Sequence, residues 1–309
     1  MAPTTQLEFP KLLARDPGQL AQLAPGMYQA MATAWHSTKA TLEPEVLELI
    51  WLRVTDILEG DSERSDVSLD AASVPAGEAI VKLTDQFVDS VADVDEEHLA
   101  GLRESMSAEM LKQLLEAMYV VDQLTRLYIT HTKLFGTEDS GLSEPEPTQQ
   151  VSLADATWWW HHKALELHGI DPTTSEVARL RGAVHHNCRL CASLRAFRDD
   201  AAVVDEPTFD RIRRSDTGSL PRRHQLALTY ADAHMIDPGA LDQPTCDALR
   251  AEFSHAELLA MSVEMSAWNL QKVLVPLKLD EPVRADGLSK MIIKEDGTLK
   301  IGGALTEAT

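Results

Sequence analysis

"IDPTTSEVARLRGAVHHNCRLCASLRAF" (170–197) carries a helix start signal and, further on, two of the chain's three cysteines, Cys188 and Cys191, in a C-x-x-C. Asp171-Pro172 reads as a helix entry, because an acid favours the first turn and proline sits where a backbone N–H has no helical partner to lose. The helix should pass through "EVARLRGAVHH" to Asn187, a good N-cap, so a second helix is expected to begin at Cys188. Cys188 then lies in a first turn and Cys191 one turn on, on the same side. The positive end of the helix dipole, together with Arg189 and Arg195, would favour thiolate there. If the chain reverses at Asn187, Glu176 and Arg195 fall at similar depth at about 1.5 Å per residue, and a Glu176–Arg195 ion pair is expected.

The same start signal occurs earlier. "LEPEVLELIWLR" (42–53) aligns without gaps on "IDPTTSEVARLR" (170–181), with proline, glutamate, leucine and arginine coinciding at 44/172, 48/176, 52/180 and 53/181. "LRESMSAEMLKQLLE" (102–116) resembles "LRAEFSHAELLAMSVE" (249–264) once a residue is inserted after the serine. Two matches in the same order point to duplication. Apolar residues recur at helical spacing through 109–135 and 255–277. "GTEDSGLSEPEPTQQ" (136–150) reads as a linker. The expected fold is therefore all-α and duplicated: a degenerate helical domain over 1–140, a linker over 141–150, a second helical domain over 151–285 and a tail over 286–309. In the first half Gly60 and Glu63 stand opposite Cys188 and Cys191, so thiol chemistry belongs to the second half alone.

A chain of 309 residues with 44% hydrophobic content is large enough for a sizeable core, and its 5% aromatic content favours helices over sheets. The formal net charge of −21 argues against nucleic acid and against an anionic membrane surface. The N-terminus lacks a basic region followed by an apolar stretch, and no apolar run approaches a membrane span. A cytoplasmic protein is expected, where a C-x-x-C stays reduced and available.

Three readings of the C-x-x-C stay open on the residues alone. A redox pair needs one low-pKa thiol and a resolving partner within disulfide reach. Zinc needs four ligands, and His185 or His186 could add only a third, with Cys246 far off in sequence. Buried inert thiols simply fill helix contacts. No cofactor or metal is expected.

Glu176, Leu180, Arg181, Cys188 and Cys191 form an E-x11-C-x-x-C with L-R between, inside a helical repeat opened by D-P. This resembles the alkylhydroperoxidase D (AhpD)-like, carboxymuconolactone decarboxylase-type family, well over roughly 160–280 and more weakly over the first half. The resemblance implies an AhpD-like helical bundle that assembles into homo-oligomers. It further implies a peroxidase in which Cys191 attacks the hydroperoxide, Cys188 resolves the sulfenate, and Glu176 serves the proton relay. The reductant it implies is a dithiol, in that branch a lipoyl-bearing protein. The relay histidines of that branch, before the second cysteine and four residues after it, are here Leu190 and Arg195, and neither can pass a proton. His185 and His186 are the local substitutes as proton donors; as a pair at a helix end they could equally just complement the dipole. The family's other chemistry, decarboxylation of a small organic acid, and a non-catalytic assembly protein of the same fold are the alternatives.

Two further stretches stand out. "WWWHHKALELHG" (158–169) reads as packing between subunits or domains, or as the lining of an apolar channel. "KMIIKEDGTLKIGGALTEAT" (290–309) reads as a short β-hairpin turning at Asp296-Gly297, or as a flexible tail. Within it "DGTLKIGGAL" (296–305), with anchors Leu299, Ile301 and Leu305, resembles the cargo tails that dock enzymes inside encapsulin shells.

Overall fold

Matching start signals recur down the chain and set its element order. The computed structural model describes residues 10–60, 71–136, 150–198, 201–285 and 287–304. Its first half contains α1 (Lys11–Arg15), α2 (Leu20–Leu23), α3 (Pro25–Thr41), α4 (Pro44–Glu59), α5 (Gly77–Asp89), α6 (Glu96–Ser105) and α7 (Ala108–Phe135). The second contains α8 (Leu153–Glu166), α9 (Pro172–His185), α10 (Arg189–Ala192), α11 (Glu206–Arg213), α12 (Arg222–Met235), α13 (Gln243–Glu252), α14 (His255–Trp268) and α15 (Gln271–Leu274).

Pro44 and Pro172 both occupy the first position of their helices, behind Glu43 and Asp171. Asp95 and Asp242 cap α6 and α13, and Ser107 and Ser254 cap α7 and α14, each side chain accepting a first-turn N–H that would otherwise lack a partner. Short 3₁₀ turns, Val91–Asp93 and Pro238–Ala240, precede α6 and α13 alike. The order α3–α4–α5–α6–α7 is thus repeated as α8–α9–α12–α13–α14. Only the stretch between α9 and α12 is elaborated, and it carries the thiols.

The halves share their main apolar core, and smaller clusters lie within the second half. One apolar cluster runs from Leu12 through Trp35, Ile50, Phe87 and Leu124 to Trp160 and Ala164, then takes in Leu259, Val263 and Ala267 of α14. Most of the stretch read as a linker lies outside the described residues. On either side of it, α3 and α8 lie packed together, and the Tyr119 hydroxyl of α7 donates to the Ser266 carbonyl of α14 at 2.8 Å. The two halves expected from sequence are packed against one another.

A charged network is buried at their junction. Asp122 on α7 accepts from Arg126 Nε at 2.8 Å and from Lys272 Nζ of α15 at 2.8 Å, with all three side chains essentially inaccessible. Arg126 also donates to the carbonyls of Val88, His234 and Met235, which ties α5, α7 and α12 together. Burial opposes the Asp122 charge, but Arg126 and Lys272 hold its carboxyl below the ordinary range. Burial lowers Lys272 to about 8.

The all-α expectation needs one correction. A small sheet, ordered β2-β1-β3-β4, is built from β1 (Leu194–Arg198), β2 (Ala201–Ala202), β3 (Ser289–Ile293) and β4 (Leu299–Ala304). β3 and β4 form the antiparallel hairpin anticipated around Asp296-Gly297. β3 also runs parallel to β1, pairing Leu194 with Ser289 and Ala196 with Met291. The expected returning helix is therefore a strand, its backbone bonds taken by a segment nearly a hundred residues downstream. At the hairpin turn Gly297 has a left-handed φ of 76°, and a Cβ there would come within 2.0 Å of the His162 carbonyl oxygen. Of the three proposed tail anchors, Leu299 packs onto the cluster of Leu194, Trp268 and Met291, Ile301 is partly exposed, and Leu305 lies outside the described residues.

Two substitutions test this account. Arg126→Met leaves Asp122 with one cation and strips three buried carbonyls of their donor, and should cost about 3–5 kcal/mol in urea-monitored unfolding. Gly297→Ala should lift the hairpin from α8, seen as faster backbone hydrogen exchange over 289–304 with little change elsewhere.

Candidate active site

The thiols sit where α9 ends and the chain turns toward the sheet. Asn187 adopts a left-handed φ of 51°, so it ends the first helix instead of capping the next. Cys188 is the N-cap of α10, its Sγ accepting the Cys191 backbone N–H at 3.3 Å. α10 lasts a single turn. Asp280 holds that turn from outside, its carboxylate accepting from the Arg189 backbone N–H at 2.9 Å and from the Arg189 guanidinium at 2.8 Å. The Asp280 carbonyl accepts from the Leu190 N–H at 2.8 Å.

The two sulfurs are 2.8 Å apart, both as free thiols. Cys188 is fully buried, whereas Cys191 is partly exposed. The hydrogen bond from the Cys188 thiol is the main influence holding Cys191 below its ordinary range; burial opposes this and the Arg179 guanidinium reinforces it. Cys188 is pushed the other way, first by that same bond and then by burial. The pair therefore has a division of labour: loss of a proton is favoured at Cys191, and Cys188 is the one that holds its own. An S–S bond of about 2.05 Å requires closure of less than about 1 Å.

Arg179, not Arg195, is the partner of Glu176. The two are both on α9, one turn apart and buried, and their contact is bidentate: Nε to Oε2 at 2.6 Å and Nη2 to Oε1 at 2.8 Å. Arg179 also donates to the carbonyls of Cys191 and Leu194, each at 2.9 Å, while Glu176 Oε1 accepts the Ala196 N–H at 3.0 Å. One ion pair thus fixes both the thiol turn and the start of β1. The expected Glu176–Arg195 pair does not form, because Arg195 lies on a strand. Its guanidinium bonds Glu206 at 2.6 and 2.9 Å and stacks over Phe209. Arg189 is likewise matched by Asp280, so the two arginines expected to favour thiolate are each already paired with a carboxylate. Arg181, which carries part of the sequence resemblance, pairs with Asp232.

His185 and His186 are half-buried and buried respectively. His186 Nε2 lies 3.2 Å from Asn269 Oδ1. Burial pushes His185 down to about 4 and His186 well below the ordinary histidine range, with nearby cations adding to the effect. Both are neutral at pH 7 and belong to the polar interior that runs through Asn269 and Gln123 to Asp122. Among the described residues no group of three His, Cys, Asp or Glu side chains is arranged to hold a metal ion. In the tryptophan cluster, Trp160 is buried and donates to Ser266 Oγ at 3.1 Å, while Trp158 is 44% exposed.

A cavity of about 410 Å³ lies beside the ion pair, between α8, α9, α14 and the sheet. Its wall includes Ile170, Glu176, Ala196, Glu264 and Trp268, and the hairpin contributes Ile293 and Glu295. Neither cysteine lines it; Glu176 is the residue common to the cavity and the thiol scaffold. Arg179, Asp280 and Glu264 were not singled out from the sequence. Arg179 was legible as the i+3 neighbour of Glu176, and Glu264 as the lone acid in the apolar run Leu258–Trp268. Asp280 gave no local signal.

Arg179→Met should raise the Cys191 pKa and slow its alkylation by iodoacetamide at pH 7 by several-fold. Arg195→Ala should leave that rate near the unmodified value, and pH-dependent alkylation of the two variants side by side makes the comparison.

No family model and no solved structure match the chain. Two uncharacterized proteins of Mycobacterium tuberculosis, from strains CDC 1551 / Oshkosh and ATCC 25618 / H37Rv, are each 27% identical to it over 252 residues, covering 77% of this chain and 85% of their own length. The similarity spans most of the fold, and neither relative's name carries an activity.

Proposed function

We propose that the chain is a thiol-dependent peroxidase or disulfide oxidoreductase of the AhpD-like type, acting through Cys191 and Cys188. The observation that carries this reading is the polarised dithiol: the Cys191 sulfur, favoured as thiolate, 2.8 Å from the Cys188 sulfur, favoured as thiol. The Cys191 thiolate attacks the terminal oxygen of an alkyl hydroperoxide. The S–O bond forms, the O–O bond breaks, and the alkoxide leaves as the alcohol with a proton from water. Cys188 then attacks the Cys191 sulfenic acid; the disulfide forms and water leaves. An external dithiol, of the lipoyl type by family resemblance, returns both thiols. Glu176 acts through Arg179, which holds the thiol turn in place, and its carboxylate is fully engaged in doing so. Homo-oligomeric assembly and docking of the tail in an encapsulin shell belong to this reading as expectations of resemblance, and a cytoplasmic setting as an expectation from sequence.

A second reading, decarboxylation or related chemistry on a small organic acid, draws on the cavity, whose wall holds Glu176 and Glu264 but neither cysteine. Activity surviving Cys191→Ser would favour it.

The deciding experiment counts free thiols before and after a small excess of cumene hydroperoxide and maps the product by peptide mass spectrometry. The expected result is loss of two thiols into a Cys188–Cys191 disulfide, absent in Cys191→Ser. Three unchanged thiols would overturn the redox reading.

A further inference from the structure

Among the described residues Glu264 is an acid without a cation partner. It sits on α14 in an otherwise apolar run, is 5% exposed, and lines the cavity beside Glu176. Its one hydrogen bond is from the Ser175 hydroxyl to Oε2 at 2.5 Å, and its other oxygen, Oε1, bonds to nothing among the described residues. Of the other carboxylates nearby, Glu176 is balanced by Arg179, and Asp171 by Arg223 at 2.9 Å. The rest of the wall is largely apolar, with Leu165, Ile170, Val203 and Trp268 among its residues.

We propose that this cavity is a binding site for an uncharged, largely apolar organic molecule bearing an acceptor oxygen, such as a ketone or ester, and that the Glu264 carboxyl donates the hydrogen bond that holds it. With Ser175 donating to Oε2, the acid hydrogen belongs on Oε1, the oxygen without a protein partner. Burial raises Glu264 to about 8, so the donor form prevails at neutral pH. An anionic ligand would meet Glu176, Glu264 and Glu295. An ammonium ligand would require Glu264 to ionise first. The volume of about 410 Å³ is within the range of small-molecule pockets and suits a single-ring compound with room to spare. This site makes no use of the cysteines, so it stands or falls separately from the dithiol chemistry.

The sign of the pH dependence follows. A neutral acceptor binds while Glu264 is protonated and is lost as pH rises through about 8. An amine would behave oppositely. The other charged or titratable groups around Glu264 are Asp171 at the N-cap of α9, Glu176 and Arg179 within α9, His168 before it, Arg198 at the end of β1 and Glu295 in the hairpin turn. His168→Gln serves as the control for the one histidine among them.

Acetophenone, benzoate and benzylamine share a ring and differ in charge, and their binding to the full chain can be compared calorimetrically from pH 6.5 to 9.5. Acetophenone should bind with Kd on the order of 0.1–1 mM at pH 6.5 and roughly 30-fold more weakly at pH 9.5, with benzoate failing to bind. Glu264→Gln, whose amide still donates, should keep the binding and lose the pH dependence, which should persist in His168→Gln. Val203→Phe, filling the cavity, should abolish binding without altering thiol alkylation. Tighter binding of benzylamine with affinity rising above pH 8, a pH-independent acetophenone affinity in the unmodified chain, or no binding of acetophenone would each overturn the proposal.

Discussion

A single guanidinium decides how the second half is built. Arg179 is buried on α9, and burying it is tolerable only because its donors meet fixed acceptors: both oxygens of Glu176 and the carbonyls of Cys191 and Leu194. Those two carbonyls belong to the end of α10 and the start of β1. The same group therefore ends the one-turn helix, places the strand, and sets a positive charge beside Cys191. Glu176 completes the arrangement by accepting the Ala196 N–H. A helix continuing through Leu194 would take these carbonyls into its own hydrogen bonds and leave Arg179 with Glu176 as its remaining acceptor. The short helix and the strand are thus the conformation that satisfies a buried charge.

The first half contributes by packing and by a second buried charge system. Asp122, Arg126 and Lys272 draw on α7 and α15, and the bonds of Arg126 reach α5 and α12. Such a network is costly unless every member is satisfied, so it admits few relative placements of the two halves. Repeated element order and a shared apolar core explain why a half without cysteines is retained: α3 and α7 provide the surface on which α8 and α14 are packed. The halves are alike in plan and unequal in role.

Much of this was legible in the sequence. Pro44 and Pro172 announced two helix starts because capping is local chemistry, and the paired segments 42–53 and 170–181, with 102–116 and 249–264, announced the repeat. The hairpin at Asp296-Gly297 was legible for the same reason. What was not legible depends on distant partners. Residues 194–198 have no pattern that separates a short strand from a helix, and β3, far along the chain, decides the matter. Arg195 was assigned to Glu176 on the premise of a returning helix; once that helix becomes a strand, its partner is Glu206. Asp280 capping α10 from another segment, and Glu264 meeting Ser175 across two helices, are facts of tertiary packing that no spacing rule encodes. The site's residue types were readable, and their pairing was not.

The dependence of the thiol turn on segments far downstream of it bears on how the protein is made. Asp280 caps α10, and β3 pairs with the strand that follows the cysteines. Both are synthesised some ninety residues after Cys191. The first half and α8 and α9 can begin to pack while translation continues. The dithiol cannot reach its final geometry until residues 280–293 have emerged, so it matures last. A nascent chain that has not yet reached residue 280 displays two thiols without the scaffold that sets their charges, and the polarised form of the pair comes into being only once that scaffold is in place.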